Sequence, residues 1–205
     1  MNYDTLATKE IVKKTSEALN ANGIEPIIVE KASDALEKIK ELIPEDASVM
    51  NGASKTLEQI GFIDYLKSGD HGWNNLHEAI VNEADRAKQG MLRKQAVLSD
   101  FYLGSVHALT ENGELIIASN SGSQLPHIVF TSQNIIFVVS TKKIVPTLDE
   151  GMKRLEEYVV PLEDVNLMKK FNIHTTVSKI LIFKKENLMM GRKVRMILVN
   201  EDLGY

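Results

Sequence analysis

The run Ile135–Ser140 (Ile-Ile-Phe-Val-Val-Ser) constrains the fold more than any other feature of the sequence. It is an uninterrupted stretch of apolar, mostly β-branched residues, whereas a strand with one solvated face alternates apolar and polar side chains. The run therefore predicts a strand that is covered on both faces. Such strands belong to parallel sheets, whose crossover connections place helices on either side.

Helical and extended patterns alternate through the rest of the chain, which supports the same conclusion. The predicted helices are Thr5–Asn20, Ser33–Leu42, Thr56–Gly61, a short one near Ser123, Leu148–Glu157 and Leu162–Phe171. The other predicted strands are Pro26–Val29, Ala47–Met50, Phe101–Glu111, Glu114–Ser119, Lys179–Lys184 and Val194–Asn200. Together they predict one domain over residues 1–205, of the three-layer α/β/α class with a mainly parallel sheet.

Two further elements complete the prediction. The segment from Leu76 to Leu98 has the pattern of one long helix, with an inward apolar stripe formed by Ile80, Ala84, Ala87, Met91 and Leu98. The pair Asn112-Gly113 lies between two extended runs, which is a strong β-hairpin signal. This hairpin and the two closing strands predict a small antiparallel element beside the parallel sheet.

Composition excludes several classes of site. The chain has no cysteine, which excludes disulfides, cysteine-ligated metal, iron–sulfur clusters and cysteine nucleophiles. Its five histidines lack metal-ligand spacing, so no metal site is predicted and the cofactor stays unknown. A net charge of −4 disfavours nucleic acid as a partner. No apolar stretch is long enough to span a membrane and no signal peptide is evident, so we expect a cytoplasmic protein.

Two polar loops that contain glycine each lie between a predicted strand and a predicted helix. Ligands of open α/β sheets bind beyond the carboxyl ends of strands, where helix N-termini offer free N–H groups to anions. Two such loops favour a shared site for a small anion, although each could equally be an ordinary capped helix start. The candidate ligand contacts in these loops are Gly52, Ser54, Lys55, Thr56, Gly122, Ser123, Gln124 and His127.

Residues 99–111 contain the candidates for catalysis. Asp100 and His107 could form an acid–base pair if an irregularity at Gly104 turned both to one side, although local structural use of Asp100 is an equal alternative. Glu111 begins a Glu-Asn-Gly element similar to that of the nucleophilic glutamate of coenzyme A transferases, and the same residues favour a plain hairpin turn. Gly104 and Ser105 join the ligand candidates.

Two consecutive lysines, Lys142 and Lys143, follow the buried strand Ile135–Ser140. Either could lie at the carboxyl end of this strand beside the proposed site. Lysines in such positions are also commonly just solvated. Lys142 and Lys55 are the two candidates that supply positive charge to a bound anion.

Several of these segments, in this order, resemble the lactate-utilisation (LUD-domain) family. The resemblance extends from about residue 48 to residue 205 and rests on residues 53–61, 99–110, 122–130, 142–145 and 199–205, and on Arg154 followed by Val160-Pro161-Leu162. It implies a fold similar to that of ribose-5-phosphate isomerase, glucosamine-6-phosphate deaminase and coenzyme A transferase. It also implies a role in bacterial L-lactate oxidation beside iron–sulfur partner proteins.

The sequence departs from many relatives in one place. They carry a cysteine-containing insertion before the penultimate strand, whereas here Phe171–Ser178 leads directly into Lys179. Three hypotheses follow: a lactate-utilisation protein that binds a small anionic metabolite, an isomerase or acyl transferase acting on a phosphorylated or coenzyme A-linked substrate, and a non-enzymatic subunit or regulator of an oxidoreductase complex. Self-association of the chain is compatible with all three.

Overall fold

The computed structural model describes residues 1–205, and its main feature is a six-stranded sheet in which every neighbouring pair is parallel. The sheet order is β1-β10-β7-β4-β2-β3, with bounds Ile24–Val29, Lys193–Val199, Asn134–Ser140, Phe101–Gly104, Ser48–Asn51 and Asn74–Asn75. The predicted parallel α/β/α class is confirmed.

The eight α-helices cover both faces of this sheet and join its strands. They are α1 Lys9–Ala21, α2 Ala32–Leu42, α3 Lys55–Gln59, α4 Phe62–Ser68, α5 Leu76–Asn82, α6 Arg86–Gln95, α7 Leu148–Arg154 and α8 Val160–Phe171. Along β7, Ile135 and Phe137 enter one apolar cluster while Ile136 and Val138 enter another. The strand is therefore buried on both faces, as its continuous apolar run predicts.

A second sheet of four strands packs beside the first and supplies the antiparallel element. Its order is β8-β5-β6-β9, with bounds Ile144–Val145, Ala108–Thr110, Leu115–Ser119 and Lys179–Phe183. The β5–β6 pair is the predicted hairpin, and Gly113 takes a left-handed φ of 79° in its turn. The apolar side chains of this sheet pack against α7 and the π-helical turn Leu155–Val159 that links α7 to α8.

Two of the predicted strand arrangements are wrong. The single strand Phe101–Glu111 is divided at residues 105–107, so that β4 lies in the main sheet and β5 in the second. The two closing strands do not pair with each other. β9 runs antiparallel to β6, whereas β10 lies between β1 and β7 in the main sheet.

The prediction of a single long helix from Leu76 to Leu98 is also wrong. Asp85 interrupts it, because its carboxylate accepts hydrogen bonds from the backbone N–H groups of Ala87 and Lys88 and so begins a new helix, α6. The predicted inward stripe fails with it, since Met91 is 60% exposed and Leu98 is 75% exposed. The two helices predicted over Leu148–Phe171 instead form one continuous helical stretch.

The length and composition of the helices decide whether any of them could cross a membrane. None of the helices combines the length and the apolar character that crossing a bilayer requires.

Candidate functional site

A pocket of about 360 Å³ opens at the carboxyl ends of three neighbouring strands of the main sheet. β2 leads into Gly52–Thr56, β4 leads into Gly104–Val106, and β7 leads into Lys143. The α7–α8 stretch forms the opposite wall. This is the edge at which parallel sheets place their ligands. The pocket brings together eight of the predicted residues: Gly52, Ser54, Lys55, Thr56, Gly104, Ser105, His107 and Gln124.

Lys143, which was not the lysine chosen from the sequence, supplies the charge at the pocket floor. Its side chain is only 4% exposed, and Nζ donates to Thr56 Oγ1, Ser105 Oγ and the carbonyl of Val106, each at 3.1 Å. All three acceptors are neutral, and no carboxylate lies within salt-bridge distance of Nζ. Burial, together with the charges of Arg154 and Lys142, holds the pKa of Lys143 well below its usual range.

Lys142, the lysine chosen from the sequence, lies outside the pocket. Its Nζ is 2.5 Å from the Asp202 carboxylate and 3.5 Å from that of Asp4. The short 3₁₀ turn Thr141–Lys143 explains why Lys143 and not Lys142 lines the pocket, because consecutive side chains of such a turn point in different directions. The sequence signal was the lysine pair itself, which indicated the place without identifying the residue.

His107 lines the pocket as a neutral imidazole. Its Nδ1 accepts a 3.0 Å hydrogen bond from the backbone N–H of Ala118, so the ring proton resides on Nε2, which has no partner within the chain. Burial, reinforced by the charges of Lys143 and Arg154, lowers the pKa of His107 to about 3. A base this weak is poorly matched to proton abstraction near pH 7, so Nε2–H is better suited to donating a hydrogen bond.

Tyr102 is a floor residue that sequence reasoning missed. Its hydroxyl lies against Gly52 and Gly104, and a Cβ on Gly52 would overlap with it. No protein group hydrogen-bonds the hydroxyl, although the side chain is almost completely buried. Burial raises the pKa of Tyr102, which keeps the phenol neutral. The available signal was Tyr102 two positions before Gly104, because alternate strand residues share a face.

His127, a predicted ligand contact, lies behind Tyr102. The two rings stack with centroids 4.7 Å apart, and His127 Nδ1 is within hydrogen-bond distance of Ser99 Oγ and Ser132 Oγ. Burial lowers the pKa of His127 to about 4. The residue therefore supports the floor without reaching the pocket.

Four other predicted residues lie away from the pocket. The carboxylate of Asp100 accepts hydrogen bonds from the backbone and hydroxyl of Ser48 at the opposite end of β4, and Glu111 forms an ion pair with Lys14 at 2.8 Å. Neither pairs with His107. Gly122 packs on the stem of Lys179, and the exposed Ser123 bonds only within its own turn. The prediction of an Asp100–His107 acid–base pair is therefore wrong.

The opposite wall of the pocket is largely apolar, and the charged lining residues other than Lys143 (Lys55 and Lys170, Glu58 and Glu163) sum to zero. The apolar side chains come mainly from the α7–α8 stretch and the segment after it: Leu155, Val159, Val160, Leu167, Phe171 and Val177. At the mouth, Glu58 pairs with Lys55 at 2.9 Å and with Lys170 at 3.4 Å. Lys55 is therefore already paired, which leaves Lys143 as the cation of the floor without an acidic partner.

Comparisons with known proteins find one matching family and several similar solved structures. A family model described as the LUD domain matches residues 12–184. A DUF162 family protein from Deinococcus radiodurans is similar in structure, with a TM-score of 0.54 at 13% identity, covering 95% of this chain and 98% of that one. Ribose 5 phosphate isomerase A from Neisseria gonorrhoeae matches with a TM-score of 0.41 at 12% identity, over 85% and 94%. No curated protein matches the sequence.

Proposed function

This chain belongs to the LUD domain family, and we propose that it is a lactate-utilisation protein that binds a small anionic metabolite in the pocket above Lys143. The observation that carries the proposal is a buried lysine with three neutral acceptors and no carboxylate, on the wall of a cavity. Burial disfavours the ammonium in the empty pocket, and a bound anion would favour it, so the missing acidic partner is the role that an anionic ligand would take.

Two neutral donors beside Lys143 support the same proposal. Tyr102 Oη and His107 Nε2 both face the pocket without protein partners. Tyr102 Oη lies near Gly104, and Lys143 Nζ donates to Ser105 and Val106, the next two residues. Both groups therefore lie beside the same short segment of backbone. A cation flanked by two neutral donors suits the oxygens of a carboxylate or phosphate.

The test is a ligand screen with wild type and Lys143→Met, using thermal shift and then calorimetry. The ligands are lactate, sugar phosphates, nucleotides, folates and acyl-coenzyme A. A ligand that binds only the folded state raises the melting temperature in proportion to its excess over Kd. Removing one partner of a buried charge pair costs about 2–5 kcal/mol, so the variant should lose at least roughly thirtyfold in affinity.

Lys142→Met is the matched control, because Lys142 is equally buried and adjacent but pairs with Asp202 and Asp4 outside the pocket. It should retain wild-type affinity. An anion that binds wild type and Lys143→Met equally well would contradict the proposal.

A further inference from the structure

From the shape and polarity of the pocket we infer that its ligand is an amphiphile, with an anionic head on Lys143 and an apolar body of several carbons along the α7–α8 wall. The inference rests on the proposed function and names the class of ligand for that site. It predicts a molecule larger and more apolar than a short hydroxy acid.

Size is the first argument. Cavities of roughly 300–1,000 Å³ hold drug-sized molecules, and this one measures about 360 Å³. A three-carbon acid seated on Lys143 would leave most of that space to water in contact with apolar side chains. A ligand that extends from the floor to the mouth would displace this water and gain the free energy of apolar burial.

Polarity is the second argument, because the donors that lack a protein partner or an acidic partner lie at one end of the pocket. Lys143, His107 and Tyr102 come from the sheet side, where the strands end. The opposite wall carries Leu155, Val159, Val160 and Leu167. The polar lining residues of α8 are engaged with protein groups, since Asn166 donates to Glu163 and Lys170 pairs with Glu58. A ligand with polar groups along its whole length would leave those groups unpaired against this wall.

The mouth continues the apolar wall to the surface. Phe171 and Val177 both line the pocket, and Phe171 is 64% exposed. A large aromatic side chain left in water at a pocket rim marks a surface that a ligand can cover. The charged lining residues other than Lys143, which are Lys55 and Lys170 with Glu58 and Glu163, sum to zero and do not call for a second anionic group.

The experiment measures Kd by calorimetry for two homologous series, the straight-chain carboxylates from propionate to octanoate and the n-alkyl phosphates of the same lengths. Lactate serves as the reference for a short polar acid. If each added methylene is buried along the wall, affinity should rise by up to about fourfold per methylene. Kd that stays constant or rises with chain length overturns the inference.

Two exposed phenylalanines provide the matched variants. Phe171→Ser should reduce the gain in affinity from each methylene in the longer members of both series. Phe130→Ser is the control, because Phe130 is 66% exposed and lies outside the pocket. If Kd depends on chain length equally in Phe171→Ser and Phe130→Ser, the apolar wall does not contact the ligand and the inference is overturned.

Lys143→Met separates this inference from the proposed function. Binding that needs Lys143 but ignores chain length overturns only the amphiphile. Binding that grows with chain length but persists in Lys143→Met overturns the anion site. Absence of binding by every member of both series, in wild type, overturns the amphiphile, whereas the anion site is judged by the wider ligand screen of wild type and Lys143→Met.

Discussion

Replacing Lys143 with methionine should stabilise the ligand-free protein, although the same change should abolish ligand binding. The amino group of Lys143 is buried without an acidic partner, and burial holds its pKa well below the usual range. Every unit by which burial lowers a pKa corresponds to about 1.4 kcal/mol of unfavourable interaction with the charged form. Methionine fills a similar volume and carries no charge.

The size of the gain follows from two opposing effects. Replacing buried charged groups by apolar ones of similar volume is neutral to stabilising, by up to about 4 kcal/mol. Against this, Lys143 makes three hydrogen bonds. Hydroxyl groups such as those of Thr56 and Ser105 rotate to suit their surroundings, but the carbonyl of Val106 stays unpaired at about 1–3 kcal/mol. Because Lys143 has no acidic partner, the upper figure of about 4 kcal/mol applies, and subtracting the carbonyl cost leaves a net gain of about 1–3 kcal/mol, or roughly 2–12 °C in Tm for a chain of this size.

The pH dependence gives a second measure of the same effect. An unfolded lysine titrates near 10.4, and the folded pKa of Lys143 is lower. Between the two values the unfolded chain binds more protons, so stability should rise with pH by up to about 1.4 kcal/mol per unit. Lys143→Met should remove that rise. Urea titrations at pH 7 and pH 9, followed by the fluorescence of the single tryptophan, Trp73, would measure both effects.

Lys142→Met is again the control, and it should behave in the opposite sense. It removes ion pairs to two largely exposed carboxylates, which should lower stability by at most about 1 kcal/mol. A loss of more than about 2 kcal/mol in Lys143→Met would refute the reasoning, because it would make Lys143 a structural anchor instead of a group kept for a ligand.

Three further outcomes are expected. Gly52→Ala should weaken ligand binding and lower the free energy of unfolding by about 1–3 kcal/mol, because the new Cβ overlaps with Tyr102 Oη. Gly90→Ala in α6 should instead raise the free energy of unfolding by about 1 kcal/mol, because its new Cβ meets nothing within 4 Å. Urea titration of both variants checks the contrast. The His107 ring should stay neutral down to about pH 3, and ¹⁵N NMR signals of an imidazolium at pH 5 would contradict its buried, backbone-bonded geometry. Asp85→Ala should cost about 1 kcal/mol by removing the cap of α6, measured by thermal unfolding, and an unchanged Tm would show that the cap contributes little.

The parallel sheet could be predicted from the sequence because its signal is local. The apolar run of β7 records burial on both faces, and Asn112-Gly113 fixes the hairpin turn through the left-handed φ of Gly113. The failures concern partners distant in sequence. Nothing within Lys179–Phe183 specifies that it pairs with β6, and the apolar spacing through α5 and α6 continues across Asp85, whose capping bonds decide the break.

The site shows the same division between local and distant information. Gly52 and Gly104 could be found because close backbone approach demands glycine, and each lies where a strand ends. Lys143 could not be distinguished from Lys142, because the difference depends on which side of one 3₁₀ turn meets Thr56 and which meets Asp202. Tyr102 was overlooked because an aromatic residue in a buried strand ordinarily belongs to the core. Its hydroxyl acquires a possible function only once the fold brings Gly52, from another strand, against it. A hydroxyl that the fold leaves without a protein partner at the pocket floor is thus the feature of this site that sequence patterns least reveal.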